Sequence, residues 1–170
     1  MEVQKVLYMN GGDGETSYAK NSSFQREIVR AARSVMKEDL LDLYRAAGFP
    51  GKLTVADLGC SSGPNALTVL ADVVDTVRES CRQLSRSPPE FQLFLNDLHG
   101  NDFNSVFRSL EAFYEERERG REIRRCFIAG VSGSFYGRLF PSKSIHFFHS
   151  SSSIHWLSQV LSIIIGAISV

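Results

Sequence analysis

The chain has 170 residues, 43% of them hydrophobic and 22% charged, which suffices for one domain with a real core and matches ordinary globular composition. Nineteen basic and nineteen acidic side chains cancel, so no basic stripe argues for nucleic acid and no polybasic tract for an anionic membrane. Cys60, Cys81 and Cys126 fit neither a disulfide framework nor a CxxC metal site, and the opening MEVQKVLYMNGG lacks an apolar signal core, so a cytoplasmic protein is expected.

Residues 1–22 are polar, carry Gly11, Gly12 and Gly14, and read as a flexible segment. Ser22 or Ser23 is placed to cap a helix running from Phe24 to Ala47. Ile28, Val29, Ala32, Val35, Met36, Leu40, Leu43 and Tyr44 recur along it at helical spacing, and Gly48-Phe-Pro-Gly51 stops it. Leu53 to Leu58 reads as a short strand ending in a glycine loop. Pro64 suits the first turn of the next helix, whose main body is 66–84, with Leu67, Leu70, Val73, Val74 and Val77 on its inner face. Phe91 to Asn96 is a second strand closed by Asp97, and Phe103 to Arg119 reads as one helix with a solvated, charged end. Cys126 to Val131 is a third strand, and Ile145 to His149 begins a fourth. The uncharged tail LSIIIGAISV, 161–170, reads as a buried strand or apolar tail, because His155, Ser158 and Gln159 interrupt any longer membrane span.

Short apolar strands alternating with helices predict a mainly parallel sheet covered on both faces. Such sheets bind ligands beyond the carboxyl ends of their strands. The first strand-end loop carries Asp57, Gly59 and Gly63 and opens a helix whose free N–H groups attract negative charge. No lysine follows Gly63, so it is not a Walker A loop, and Ser61 stands where a dinucleotide fingerprint needs its second glycine. Asp57 would repel a phosphate and suits a cation. S-adenosylmethionine has a sulfonium, an ammonium and a carboxylate but no phosphate, so it fits both features; the alternative is a tight turn with no ligand. Asp97, at the end of the second strand, suits a pair of ribose hydroxyls, or else simply caps the following turn. After the third strand, Ser134 can meet an adenine edge and Phe135 can cover its face. GVSGS is not a nucleophile elbow, since the second glycine of that motif is missing. His146 and His149, three apart on a strand, face opposite sides and do not share a metal.

Five ordered stretches, GGDGETSYAKNSSFQ (11–25), VADLGCSSGPNAL (55–67), FLNDLHGNDFN (94–104), VSGSFYGRLFP (131–141) and HFFHSSSSIHWLSQV (146–160), resemble the SABATH carboxyl methyltransferases of plants. That family includes salicylate, benzoate and jasmonate methyltransferases and the theobromine/caffeine N-methyltransferases; the opening 22 residues look most like the jasmonate type. The resemblance implies a Rossmann-like α/β methyltransferase fold with four parallel strands in the order 3-2-1-4. It implies S-adenosylmethionine as cofactor, leaving as S-adenosylhomocysteine, with contacts at Tyr18, Cys60, Asn65, Asp97, Leu98, Ser134 and Phe135, and with Asp57 and the stretch 150–152 nearby. It implies a small carboxylic acid as partner, steered by Gln25 and Trp156 beside His155. No group acts as a chemical catalyst in this reading, and no residue here can be assigned to the magnesium site reported for some relatives.

The resemblance fades after Val160. Family members are longer, and 161–170 matches nothing in them, so the expected organisation is a methyltransferase portion over 1–160, comprising the flexible segment 1–22, a cap-helix region 23–48 and a core 53–160, followed by a foreign tail. A truncated product is expected, with an open sheet edge that favours dimers or aggregation. The functional expectation is methylation of the carboxylate of a jasmonate-like acid. The alternatives are an inactive cofactor-binding fragment and an N-methyltransferase of the same family.

Overall fold

The computed structural model describes residues 14–15, 22–62, 64–119, 125–151 and 153. Tyr18, His155 and Trp156, together with Gly63, Ser152 and the tail, lie outside these residues. The elements in chain order are α1 (Ser23–Ala46), β1 (Lys52–Leu58), α2 (Pro64–Gln83), β2 (Glu90–Asp97), α3 (Phe103–Arg108), α4 (Leu110–Glu118), β3 (Cys126–Ser132) and β4 (Phe147–His149). The four strands form one sheet in the order β3-β2-β1-β4, and every pairing is parallel. This is the expected order.

The core follows from the run of apolar residues on both central strands. Leu53, Val55 and Ala56 of β1 and Phe91, Leu93 and Leu95 of β2 are fully buried, as parallel strands covered on two faces require. Helix α2 lays Ala66, Leu70, Val73, Val74 and Val77 onto them, the i, i+4, i+7, i+8 stripe that faces a core. Pro64 opens this helix as expected: its fixed backbone angle suits a first turn, where its missing N–H costs nothing.

Helix α1 forms over nearly the span expected, but it does not bury all of its apolar residues. Met36, Leu40 and Tyr44 are buried, but Phe24, Ile28 and Val35 are exposed among the described residues. Only the C-terminal half packs on apolar residues, while the N-terminal half meets α2 through polar groups. Arg26 Nε donates to Asn65 Oδ1 at 3.3 Å, and seven residues on, Arg33 Nε donates to Asp72 Oδ1 at 2.7 Å. The equal spacing keeps both pairs on one helix–helix seam. Ser22 holds the N-cap position without capping. Its backbone angles (φ −97°, ψ 26°) lie outside the extended range that aims a capping hydroxyl, so its side chain makes no cap bond. Its carbonyl instead accepts from Asn65 Nδ2 and Arg26 N.

The helix expected over 103–119 is divided at Ser109. The Ser109 hydroxyl donates back to the Ser105 carbonyl, and its amide donates to Val106 in a tighter i−3 pattern. Serine back-bonding of this kind bends helices. The fourth strand is shorter than expected and starts at Phe147, because His146 turns its side chain to accept from the Thr54 amide at 3.0 Å.

Candidate active site

The strand register brings the sequence-predicted residues to one end of the sheet. Asp57 pairs with His149, Leu58 with Asn96 and Asp97 with Ser132, so all four carboxyl ends finish at nearly the same level. The glycine loop leaves β1 through Gly59, which adopts φ +76°, a left-handed conformation that suits glycine. The amides of Gly59 and Cys60 both donate to the Asn96 carbonyl at 2.9 Å, folding the loop back over β2. A Cβ on Gly59 would overlap the Ser153 hydroxyl and stand 3.8 Å from the Phe135 ring. The first loop, the segment after β3 and the segment after β4 therefore close around the same point.

Asn96 ties that arrangement together, a role its sequence position beside Asp97 does not announce. It is fully buried, and its Nδ2 donates to the Val131 and Gly133 carbonyls, both at 2.9 Å. The Asp97 carboxylate accepts from the Ser61 amide at 2.6 Å and from the Leu98 amide at 2.7 Å. Asn101 Nδ2 adds a bond to the Ser61 carbonyl at 3.1 Å. Asp97 thus both steadies the glycine loop and keeps lone pairs for a ligand. Burial raises its carboxyl above the ordinary aspartate value of 3.8, the two amides pull it back, and Asp57 pushes it up again.

Asp57 is 4% exposed, and its Oδ1 lies 2.7 Å from His149 Nδ1. Among the described residues no lysine or arginine bonds Asp57 or Asp97. The hollow is therefore electronegative, which disfavours phosphate and favours a cationic ligand. Cys60 is buried, with its thiol 3.3 Å from the Ser61 carbonyl. Burial first, and then the charges of Asp57 and Asp97, push that thiol far up, so it is not a nucleophile. Phe135 packs against Tyr136 with ring centroids 5.5 Å apart, and the Ser134 hydroxyl accepts from the Tyr136 amide.

Asn65 and Gln25 lie on the other side of the loop, where α1 crosses α2. Asn65 is buried and bonded to Ser22 and Arg26. Gln25 Oε1, Ser22 Oγ and Ser61 Oγ are buried without partners among the described residues. Unpaired buried polar atoms are costly, so these three are free to take a further hydrogen-bond partner. His146 and His149 meet different partners, Thr54 and Asp57, and among the described residues no group of three His, Cys, Asp or Glu could hold a metal ion.

The parallel order β3-β2-β1-β4 with a glycine turn after β1 is that of a doubly wound α/β sheet, which binds its ligand beyond the strand carboxyl ends, and its likeness to a solved methyltransferase makes it an S-adenosylmethionine-dependent methyltransferase fold. The chain belongs to the SAM dependent carboxyl methyltransferase family, whose model matches residues 4–166. It is 52% identical over 162 residues to "Probable jasmonic acid carboxyl methyltransferase 2" of Theobroma cacao, covering 94% of this chain and 43% of that protein. It is 49% identical over 168 residues to "Jasmonate O-methyltransferase" of Arabidopsis thaliana, with the same coverage. A solved loganic acid methyltransferase with SAH superposes with a TM-score of 0.73 at 41% identity, covering 90% of this chain and 42% of that one. The chain thus spans less than half the length of these relatives.

Proposed function

We propose that this chain contributes the cofactor half of an S-adenosylmethionine-dependent O-methyltransferase that esterifies a small plant carboxylic acid, jasmonate-like in the first instance. The observation that carries the reading is the closure of three strand-end segments around Gly59 with Asp57 and Asp97 beside them and no basic partner bonded to either. The residues present fit the cofactor. Asp97 would accept from the ribose hydroxyls, Phe135 and Ser134 would meet the adenine, and Asp57 would face the cationic end. Asn65 and Ser22 would hold the amino-acid end, which would give the unpaired Ser22 hydroxyl a partner. When bound, this group supplies an electrophilic methyl.

The chain's own residues then have modest chemical tasks. A carboxylic acid of ordinary pKa, about 4, is already ionised near neutral pH, so no general base is needed. Gln25, with a buried and unpartnered Oε1, would turn its amide N–H groups toward the acceptor carboxylate. Trp156 would add an indole N–H. Neutral donors orient an anion without pairing it to a fixed cation that would blunt its nucleophilicity. Holding the reacting atoms in line contributes roughly 7–11 kcal/mol in favourable cases. Excluding water helps a reaction in which opposite charges vanish.

Relatives at 49% and 48% identity bear the names "Probable caffeine synthase MTL2" and "3,7-dimethylxanthine N-methyltransferase 1", so a nitrogen acceptor is the second reading. A third reading is cofactor binding without turnover. Incubation with labelled cofactor and a panel of jasmonic, salicylic, benzoic and indole-acetic acids and xanthines separates the three. A methyl ester of an acid is the expected product. An N-methylxanthine would move the assignment to the second reading, and binding without product to the third.

A further inference from the structure

His149 was singled out in the sequence only as a metal candidate, and the geometry gives it another task. It ends β4, directly across the parallel pairing from Asp57 at the end of β1. Its side chain is 11% exposed and that of Asp57 6%, with Nδ1 2.7 Å from Oδ1. With the carboxylate oxygen as acceptor, the donor in this contact is Nδ1–H. The contact engages Oδ1 alone and leaves Oδ2 outside the His149 bond.

We propose that His149 is a positioning residue of the cofactor site: it takes one oxygen of Asp57 and thereby aims the other at the ammonium of the cofactor's amino-acid end. This rests on the cofactor reading above and deepens it. An imidazole N–H orients the carboxylate through one fixed bond at one oxygen, where the forked donors of an arginine could take both. It also acts across the sheet, which makes the three-residue strand β4 part of the site and not merely its edge. The recognition is specific to a cation. Adenosine and thioether groups have nothing to gain from Asp57 Oδ2.

The test uses two ligands: S-adenosylhomocysteine, which carries the ammonium, and 5′-methylthioadenosine, which lacks both the ammonium and its carboxylate. Titration calorimetry on the full chain compares wild type with His149→Leu and His149→Asn, the latter keeping an N–H donor near the Nδ1 position. His149→Leu is expected to weaken S-adenosylhomocysteine about tenfold or more, the range for a hydrogen bond to a charged group, and to leave methylthioadenosine unchanged. His149→Asn is expected to restore most of the loss. Equal weakening of both ligands with a lowered Tm would reduce His149 to a structural clamp and overturn the proposal. If wild type binds neither ligand, the cofactor reading itself fails. Should His149→Leu not fold, imidazole ¹⁵N spectra of the wild-type chain decide. An Nδ1–H tautomer whose signal moves with S-adenosylhomocysteine but not with methylthioadenosine supports the proposal, and an Nε2–H tautomer contradicts it.

Discussion

At the scale of single residues, Asp97 sets the clearest pH signature. Its carboxyl is raised in the folded chain, chiefly by burial. The fold therefore retains a proton there at pH values where the unfolded chain has released it. Stability from this group is complete below the ordinary aspartate value and declines as pH rises through the folded one. Denaturant unfolding across acidic to neutral pH should show that decline in wild type and a flatter profile in Asp97→Asn. Ligand binding runs the other way. In the proposed site ribose hydroxyls would donate to the ionised carboxylate, so affinity for S-adenosylhomocysteine should fall as Asp97 takes up its proton, and Asp97→Asn should bind about tenfold or more weakly at neutral pH. Gly59 makes a different prediction. With φ +76° and the Ser153 hydroxyl in the space a Cβ would fill, Gly59→Ala should cost about 1–3 kcal/mol in denaturant unfolding and displace Ser153 and Phe135 from the hollow. A loss below a few tenths of a kcal/mol would mean the loop relaxes freely.

The seam between α1 and α2 illustrates how elements hold the site. Asp72 is almost fully buried and is paired with Arg33, which is half exposed, and with Lys37 at 3.7 Å. Removing one cation leaves the other, and the exposed guanidinium is screened by solvent. Arg33→Met alone should therefore cost at most about 1 kcal/mol. Arg33→Met with Lys37→Met strands a buried carboxylate and should cost about 3–5 kcal/mol, most of it recovered by adding Asp72→Leu. Chemical denaturation of the series checks the order. Equal losses in the single and double variants would show that Lys37 gives Asp72 no support. Helix α1 also shows what spacing leaves open. Its apolar residues recur at helical spacing, yet Ile28 and Val35 are exposed while Arg26 and Arg33 point to α2. Periodicity identifies a helix from its apolar residues but cannot see that a polar seam has claimed the other face. The break at Ser109 was hidden for a similar reason: serine is acceptable within a helix, and only its hydroxyl bond to Ser105 reveals the bend.

For the molecule as a whole, the sheet was the most legible feature. Near-continuous apolar runs at β1 and β2 admit little besides buried parallel strands, and the glycine loop fixes where the chain turns. The order 3-2-1-4 came from family resemblance, because spacing alone does not rank parallel strands. Asp57 and Asp97 were legible because acids stand out at the ends of apolar strands. Asn96 and His149 were not: one acts through carbonyls distant in sequence, and the other through a neighbour across the sheet. Among the described residues no helix is long and apolar enough to cross a membrane, and the three cysteines are buried and form no disulfide.

The account depends on the carboxyl ends of β1, β2 and β3 forming one adenosyl site. Isothermal titration of S-adenosylhomocysteine into the folded chain at neutral pH tests this most directly. Saturable binding of one ligand per chain, strongly weakened by Asp97→Asn, is the predicted result. A chain that is folded by circular dichroism yet binds no ligand, or binds it equally well with Asp97 replaced, would contradict it.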